Sequence, residues 1–294
     1  MFSATDAAFS GFRAGREHFR TMLVWALLYG AMSFASLILI VTTMGPMLAE
    51  LQAAGTDPDP DPAQALALLR RIAPLVVVLL PLCLLFYGVV YAAVNRIVLR
   101  PSDRGFAYLR FGPAEFRQIA VMILMGLIVT AAAIGGGVLV GVAASAATAV
   151  SGGLSAATGI VGVLALGAFL IVLGVRLSLA AALTFDTGRI NIFGSWAITR
   201  GRFWGMLGAY VLALVLVAIF YMVMLAIMMI AALLLGGFEG VGDIYQPDLS
   251  SLRAVLTPSY IAAELVAVLA GPFLLLAMKA PAPSIYRALT SSGG

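Results

Sequence analysis

The sequence predicts an all-α, polytopic membrane protein with six transmembrane helices, and three observations lead to this fold class. Of the 294 residues, 63% are hydrophobic and only 10% are charged, whereas soluble domains carry about 25% charged residues. Six segments stay apolar over the roughly 20 residues that cross the hydrocarbon core of a bilayer. Lys and Arg residues are concentrated in alternate connections between these segments, which is typical of multi-pass membrane proteins.

The predicted spans follow one another along the whole chain, so a single integral membrane domain, 1–294, is expected. Their approximate ranges are 21–45, 73–94, 118–142, 154–175, 203–236 and 259–280. The first apolar stretch is longer than the core of a secretory signal, so it is interpreted as a retained span. The fifth contains 34 uncharged residues and would be about 51 Å long as one helix. It is therefore expected to tilt, protrude or break, with Gly205 or Gly208 as the places for a break.

Two residue pairs predict where helices begin. Asp61-Pro62 and Thr257-Pro258 each join a capping side chain to a proline at the first helical position. The acidic run at 57–62 reads DPDPDP. It predicts an exposed spacer rather than a calcium loop, because proline at every second position prevents the chain from wrapping a cation.

The charge distribution predicts the orientation. Fourteen of the 17 Lys and Arg residues fall on the side that holds both termini, and seven of the 13 acidic residues fall on the other side. By the positive-inside rule both termini are expected in the cytoplasm. Sixteen of the cations are Arg and one is Lys, which suggests a GC-rich genome and hence a bacterial cytoplasmic (inner) membrane.

Three stretches on the predicted cytoplasmic side resemble one another. Each has an aromatic residue, an arginine, a glycine and then Phe-Arg or Phe-Trp at the start of a span, and they lie at 9–23, 106–120 and 195–207. They predict three hairpin repeats, 1–95, 96–188 and 189–294, each preceded by an amphipathic segment in the membrane interface. The alternative stays open that arginine and aromatic residues collect at cytoplasmic span ends without any duplication.

A resemblance to a known family lies in the stretch 176–207, RLSLAAALTFDTGRINIFGSWAITRGRFWGML. It resembles bacterial six-span proteins related to the membrane domain found beside glycerophosphodiester phosphodiesterases. The residues that carry the resemblance are Ser195, Trp196, Thr199, Gly201 and Trp204, with Arg176 and Asp186 upstream. The resemblance implies a fold type but no activity, because the sequence has no soluble segment that could hold the phosphodiesterase domain.

Two kinds of charged residue are candidates for function. The first is a group of cations at predicted cytoplasmic span ends, which could line a vestibule for lipid headgroups or other anions: Arg96, Arg176, Arg200, Arg202 and Lys279. The positive-inside rule alone also accounts for them. The apolar sequence after Arg176 suggests that this arginine is partly buried and pairs with Asp186 or a lipid phosphate.

The second kind of candidate is Glu264, the acidic residue placed inside a span, which is a candidate proton or cation site. A pairing with Arg253 near the outer surface is the alternative. Gly271-Pro272 predicts a kink farther along the same helix.

These observations predict a non-catalytic integral inner-membrane protein that organises lipid or a partner protein at the cytoplasmic interface. Anionic phospholipid is the expected partner, with a protein partner or a homo-oligomer also considered, and no nucleic acid is expected. No metal or cofactor is expected, because Cys83 and His18 are the only Cys and His residues of the chain. The alternative is a carrier or channel for an amphiphilic or anionic small molecule. An enzyme is not expected, because no convincing set of acid, base and nucleophile occurs.

Overall fold

The computed structural model describes the backbone of residues 2–54 and 62–291, and the side chains of these ranges except 47–54, 62–65 and 68–69. The part of the chain that it describes consists of helices and their connections. The helices are α1 Ala4–Glu17, α2 Phe19–Ala54, α3 Pro62–Leu99, α4 Pro113–Thr148, α5 Gly152–Leu177, α6 Ala180–Thr187, α7 Gly194–Ile198, α8 Phe203–Tyr245, α9 Leu252–Val255, α10 Pro258–Lys279 and α11 Pro281–Ser291. Asp57, Asp59 and the rest of the predicted acidic spacer before Pro62 lie outside the described residues.

The predicted six spans are confirmed. In the part of the chain that the structure describes, six helical segments are long and apolar enough to cross a membrane, and the protein is therefore a multi-pass, all-α membrane protein. They are Phe19–Pro46, Arg70–Leu99, Pro113–Thr148, Gly152–Thr187, Phe203–Tyr245 and Pro258–Ser291. An even number of spans returns both termini to the same end of the bundle. This terminal end contains α1, the 100–112 connection, α6, α7 and α11, and the opposite end is called the far end.

Both predicted helix starts coincide with the structure. Helix α3 begins at Pro62, and α10 begins at Pro258 with Thr257 as its N-cap. The Thr257 hydroxyl accepts a hydrogen bond from the Tyr260 backbone N–H at 3.2 Å, which satisfies one of the free donors of the first turn.

The break in the fifth span lies elsewhere than predicted. Helix α8 keeps helical geometry at Gly205 and Gly208 and departs from it at Gly237, where φ is 61° and ψ is −146°. Glycine adopts this positive φ without the steric cost that a Cβ would impose. The break therefore falls after the apolar stretch has ended, and the long apolar segment itself remains one helix.

The three segments that precede the hairpins fold differently. Helix α1 precedes the first, the irregular 100–112 connection precedes the second, and the short helix α7 precedes the third. Helix α1 turns its small residues toward the bundle, with Gly11 packed so closely on α10 that a Cβ would collide with the backbone of Ala277. The packing of α1 therefore depends on glycine, while Phe9 stays exposed on its outer side.

The core lies at the terminal end. The three clusters of buried apolar side chains gather residues of α1, α11 and the adjoining ends of the spans, with Met22, Leu177, Met206 and Leu276 among the fully buried members. In contrast, no residue from 122 to 172 is buried. The α4–α5 hairpin thus projects from the core, as lipid-facing helices can, because lipid does not penalise exposed apolar side chains.

Candidate functional site

The motif that carries the family resemblance closes the break between α5 and α6. Helix α7 places Ser195 under the end of α5, where its hydroxyl donates to the Arg176 carbonyl at 2.7 Å and accepts from the Leu179 N–H at 3.2 Å. The Thr199 hydroxyl lies 3.5 Å from the same carbonyl. Both Ser195 and Thr199 are completely buried. Their role here is to satisfy backbone groups that the helix break leaves unpaired.

Arg176 is held by the same motif. Its guanidinium donates to the Thr199 carbonyl at 2.7 Å and lies 5.7 Å from the ring centroid of Trp196 and 6.0 Å from that of Phe203. The predicted partial burial is confirmed, since Arg176 is half-buried. The suggested pairing with Asp186 is wrong, because the described contacts of Arg176 are a carbonyl and two aromatic faces.

The remaining motif residues lie on the outer surface of the protein, between α7 and the start of α8. Gly201 adopts a φ of +76° in the turn that leads into α8, and Trp204 is 79% exposed at the start of that helix. Arg200 and Arg202 are also exposed, and Arg202 donates to the Ile198 carbonyl at 3.2 Å. A tryptophan and two arginines on one outer corner suit the boundary between lipid headgroups and acyl chains.

Asp186 has partners from two other elements. Its carboxylate accepts a hydrogen bond from the Tyr286 hydroxyl at 2.9 Å, and its carbonyl accepts one from Arg100 at 3.2 Å. Arg100 also lies over the ring of Phe185, 5.2 Å from its centroid. Asp186 therefore ties α6 to α11 and to the end of α3.

Arg96 is buried within an ionic cluster. Its side chain is 4% exposed, and its guanidinium lies 2.6 Å from the Glu115 carboxylate, which is 2% exposed. Arg96 also donates to the Tyr108 carbonyl, lies 3.6 Å from Asp103 and covers the ring of Phe185. Its charge is compensated within the protein, so the structure does not place Arg96 on an open vestibule.

The carbonyl that Arg96 binds belongs to a strained turn. Ala107 and Tyr108 have φ values of 50° and 60°, a left-handed conformation that costs about 1 kcal/mol or more per residue with a side chain. The Trp25 indole N–H donates to the Ala107 carbonyl at 2.9 Å, and the Tyr108 hydroxyl donates to the Pro101 carbonyl at 3.1 Å. These contacts and the burial of the Tyr108 ring hold the turn in place.

Lys279 has a different environment. It lies at the end of α10 and lines a cavity of about 440 Å³ that α3, α4, α6, α8 and α11 also border. Its ammonium group lies 4.6 Å from the ring centroid of Tyr91. In the part of the chain that the structure describes, no acidic side chain comes within 4.0 Å of it. Lys279 is therefore a half-buried cation without a counter-ion from those residues.

Other polar groups line the same cavity as Lys279. Tyr210 donates to the Ser178 hydroxyl at 2.7 Å, and Asn95 donates to the Gln118 side chain at 3.3 Å. The rest of the lining is largely apolar, with Met122, Met125 and Met278 among the contributing side chains. One cation, several hydroxyl and amide groups and flexible apolar side chains suit an amphiphilic anion.

The sequence indicated Lys279 but missed its neighbours. These neighbours are Tyr91, Asn95 and Tyr210, which occur inside apolar spans. Tyrosine is common in such spans, so the two tyrosines do not indicate a binding site. Asn95 is the neighbour that the sequence could have identified, since an amide side chain inside a span requires a hydrogen-bond partner. Of the five predicted vestibule cations, Lys279 is the one that lines the cavity described here.

Glu264 lies on the opposite half of the molecule. It accepts a hydrogen bond of 2.5 Å from the Ser33 hydroxyl and thereby connects α10 to α2. The suggested pairing with Arg253 is not present, since within the described residues the salt bridges involve other groups.

Comparison with known proteins found no matching family model, no matching curated protein and no matching solved structure.

Proposed function

We propose that the protein is a non-catalytic membrane protein that binds an anionic amphiphile, specifically an acidic phospholipid, in the Lys279 cavity. The observation that carries the proposal is an ammonium group, in a largely apolar cavity of about 440 Å³, to which the described residues provide no counter-ion. A cation is costly to bury without a counter-ion, and an anionic headgroup would supply one. The acyl chains would lie along the exposed apolar surface of the α4–α5 hairpin.

The proposed location follows from the charges. The terminal end collects 14 of the 17 Lys and Arg residues, which supports placing this end in the cytoplasm of a bacterial inner membrane. Anionic lipids give the cytoplasmic leaflet a negative surface potential. The cavity would thus open to the leaflet where its ligand is available. The motif at 195–204 supports kinship with the six-span proteins named above.

The test measures binding of phosphatidylglycerol to the purified protein in nanodiscs of phosphatidylcholine with increasing phosphatidylglycerol content. A charge-assisted hydrogen bond contributes about 1.5–3 kcal/mol, so we expect Lys279→Gln to weaken binding by roughly tenfold or more. Lys279→Arg should retain most of the binding. Arg189→Gln is the matched control, because it removes an exposed cation at the same end that does not line the cavity. Equal binding by the parent and Lys279→Gln would reject the proposal.

A carrier for an amphiphilic anion is the second candidate, and the three methionines of the cavity favour it. Methionine side chains adapt to ligands that enter and leave. Proteoliposomes with a fluorescent phosphatidylglycerol in one leaflet distinguish the two functions. Transfer of the probe between leaflets that Lys279→Gln slows would support a carrier, whereas binding without transfer would support a lipid-organising protein.

A further inference from the structure

A second charged groove lies between α2 and α10, in the other half of the molecule from the Lys279 cavity. Its volume is about 380 Å³, and its lining includes Phe34, Ile261 and Leu265 together with the polar groups of Ser33, Tyr260 and Glu264. The polar groups are few, so the groove is an apolar surface with one carboxylate in it. It is separate from the proposed lipid site and goes beyond the proposed function.

The Glu264 carboxylate is hydrogen-bonded on one side and faces the groove on the other. Ser33 donates to its Oε1 atom at 2.5 Å, which orients the side chain across the gap between the two helices. No other hydrogen bond to this carboxylate is formed by the residues that the structure describes, and no Lys, Arg or His among them lies within 4.0 Å. Glu264 is half-buried, so the carboxylate remains accessible from the groove.

The position of Glu264 makes a counter-ion important. It follows the first helical residue of α10 by six positions, which places it about 9 Å along the helix. A carboxylate at such a depth in a span is costly unless a proton or a cation neutralises it. The protein supplies a hydroxyl group but no positive charge from the described residues.

The lining decides which class of cation fits. Mg²⁺ and Ca²⁺ require about six to eight oxygen ligands, and no group of three or more His, Cys, Asp or Glu residues lies together in the described part of the chain. An organic ammonium ion requires only one anionic partner, gains from an aromatic face such as Tyr260, and buries an alkyl body against Phe34, Ile261 and Leu265.

We propose that this groove binds a lipophilic monovalent ammonium ion, with its charge on Glu264 and its alkyl chain between α2 and α10. The surrounding bilayer concentrates such amphiphiles, so the ligand would reach the groove laterally. Ser33 positions the carboxylate and does not itself recognise the charge.

The experiment uses the full-length protein in non-ionic maltoside micelles and compares two probes of equal chain length. Dodecyltrimethylammonium carries its charge at every pH, and dodecanol carries none. Native mass spectrometry measures the fraction of protein with one bound probe. We expect the ammonium probe to bind at least tenfold more tightly than the alcohol, because only the first can pair with the carboxylate.

Three variants test the assignment. Glu264→Gln removes the charge but keeps an oxygen for Ser33, and is expected to weaken ammonium binding at least tenfold. Leu265→Trp fills the groove from its exposed side and should also weaken binding, although the charge stays. Glu239→Gln, which removes an exposed carboxylate near the end of α8, is the control and should bind like the parent. Thermal unfolding of each variant verifies that it is folded.

Equal binding of the two probes, or unchanged ammonium binding by Glu264→Gln, would overturn the proposal. If Glu264→Gln does not fold, Leu265→Trp decides, since its substituted side chain is exposed and its carboxylate is intact. A negative result here leaves phosphatidylglycerol binding at Lys279 unaffected, because the two sites share no residue.

Discussion

Arg96 and Lys279 occupy equivalent positions in the sequence but different environments in the structure. Each follows an apolar span on the arginine-rich side of the chain. Arg96 is buried, paired with Glu115 at 2.6 Å and bonded to a carbonyl. Lys279 faces a cavity and has the ring of Tyr91 as its described contact. The protein itself compensates the charge of Arg96, whereas the residues that the structure describes provide no acidic partner for Lys279.

Under the proposed function, a cation at a span end has two distinct uses. A planar guanidinium presents five donors that several fixed acceptors can satisfy, and the Arg96 cluster uses it to hold the strained 107–108 turn against α3. An ammonium group on a flexible stem does not require several fixed acceptors. It can remain unpaired beside an aromatic ring until an anion arrives. Stability should therefore depend on Arg96, and binding on Lys279.

The largest expected effect is that of Arg96→Met. The substitution leaves Glu115 as a buried carboxylate without its cation, and breaking a buried ion pair in this way costs about 3–5 kcal/mol. We expect a severe loss of folded protein, measured as the monodisperse yield after extraction in detergent and as the unfolding temperature.

The double variant Arg96→Met, Glu115→Leu is the matched control for that change. Removing both charges eliminates the unpaired carboxylate, so part of the lost stability should return. An Arg96→Met protein with the yield and unfolding temperature of the parent would show that stability does not depend on the Arg96 cluster.

Ser195→Ala should have an intermediate effect. Its hydroxyl serves the Arg176 carbonyl and the Leu179 N–H at once, and leaving buried polar groups unsatisfied costs about 1–3 kcal/mol. The substitution therefore compares two contributions to the free energy of unfolding. One comes from the hydrogen bonds to backbone groups at the α5–α6 break, and the other from the compensation of the Arg96 charge.

The control for this variant is Ser10→Ala, because the Ser10 hydroxyl bonds within its own helix, to the Ala7 carbonyl. That change should cost well under 1 kcal/mol. Thermal unfolding in the same detergent compares the two serines directly. Equal unfolding temperatures for the two variants would mean that the motif has no special role in closing the break.

The sequence predicts the spans well because hydropathy and helix capping are local properties. The starts of α3 and α10 at Pro62 and Pro258 depend on a few adjacent residues, and the six spans depend on runs of about 20 apolar residues. Even the partial burial of Arg176 was visible, since the apolar sequence continues beyond it.

The partners of the charged residues could not be predicted in the same way. Glu264 meets Ser33 across 231 positions, and Asp186 meets Tyr286 across 100. Such pairs depend on which helices become neighbours, which a single sequence does not reveal. Arg96 and Lys279 also have the same position in the charge pattern, each at the end of a span. The fold is needed to show that Glu115 lies beside Arg96.

The smallest expected effect, that of Lys279→Met, is the sharpest test of the comparison because it repeats the substitution made at Arg96. Methionine keeps an unbranched stem of similar length and suits a cavity that already contains three methionines. The substitution loses a cation–π contact of about 0.5–1 kcal/mol but removes the cost of holding an unpaired charge in an apolar lining. We therefore expect the unfolding temperature to stay close to that of the parent or to rise slightly, because removing a charged group from a binding site often stabilises a protein. The measurement is made in maltoside micelles without anionic lipid. A fall as large as that of Arg96→Met would show that both cations are structural, and the unpaired ammonium group would then no longer support a binding site.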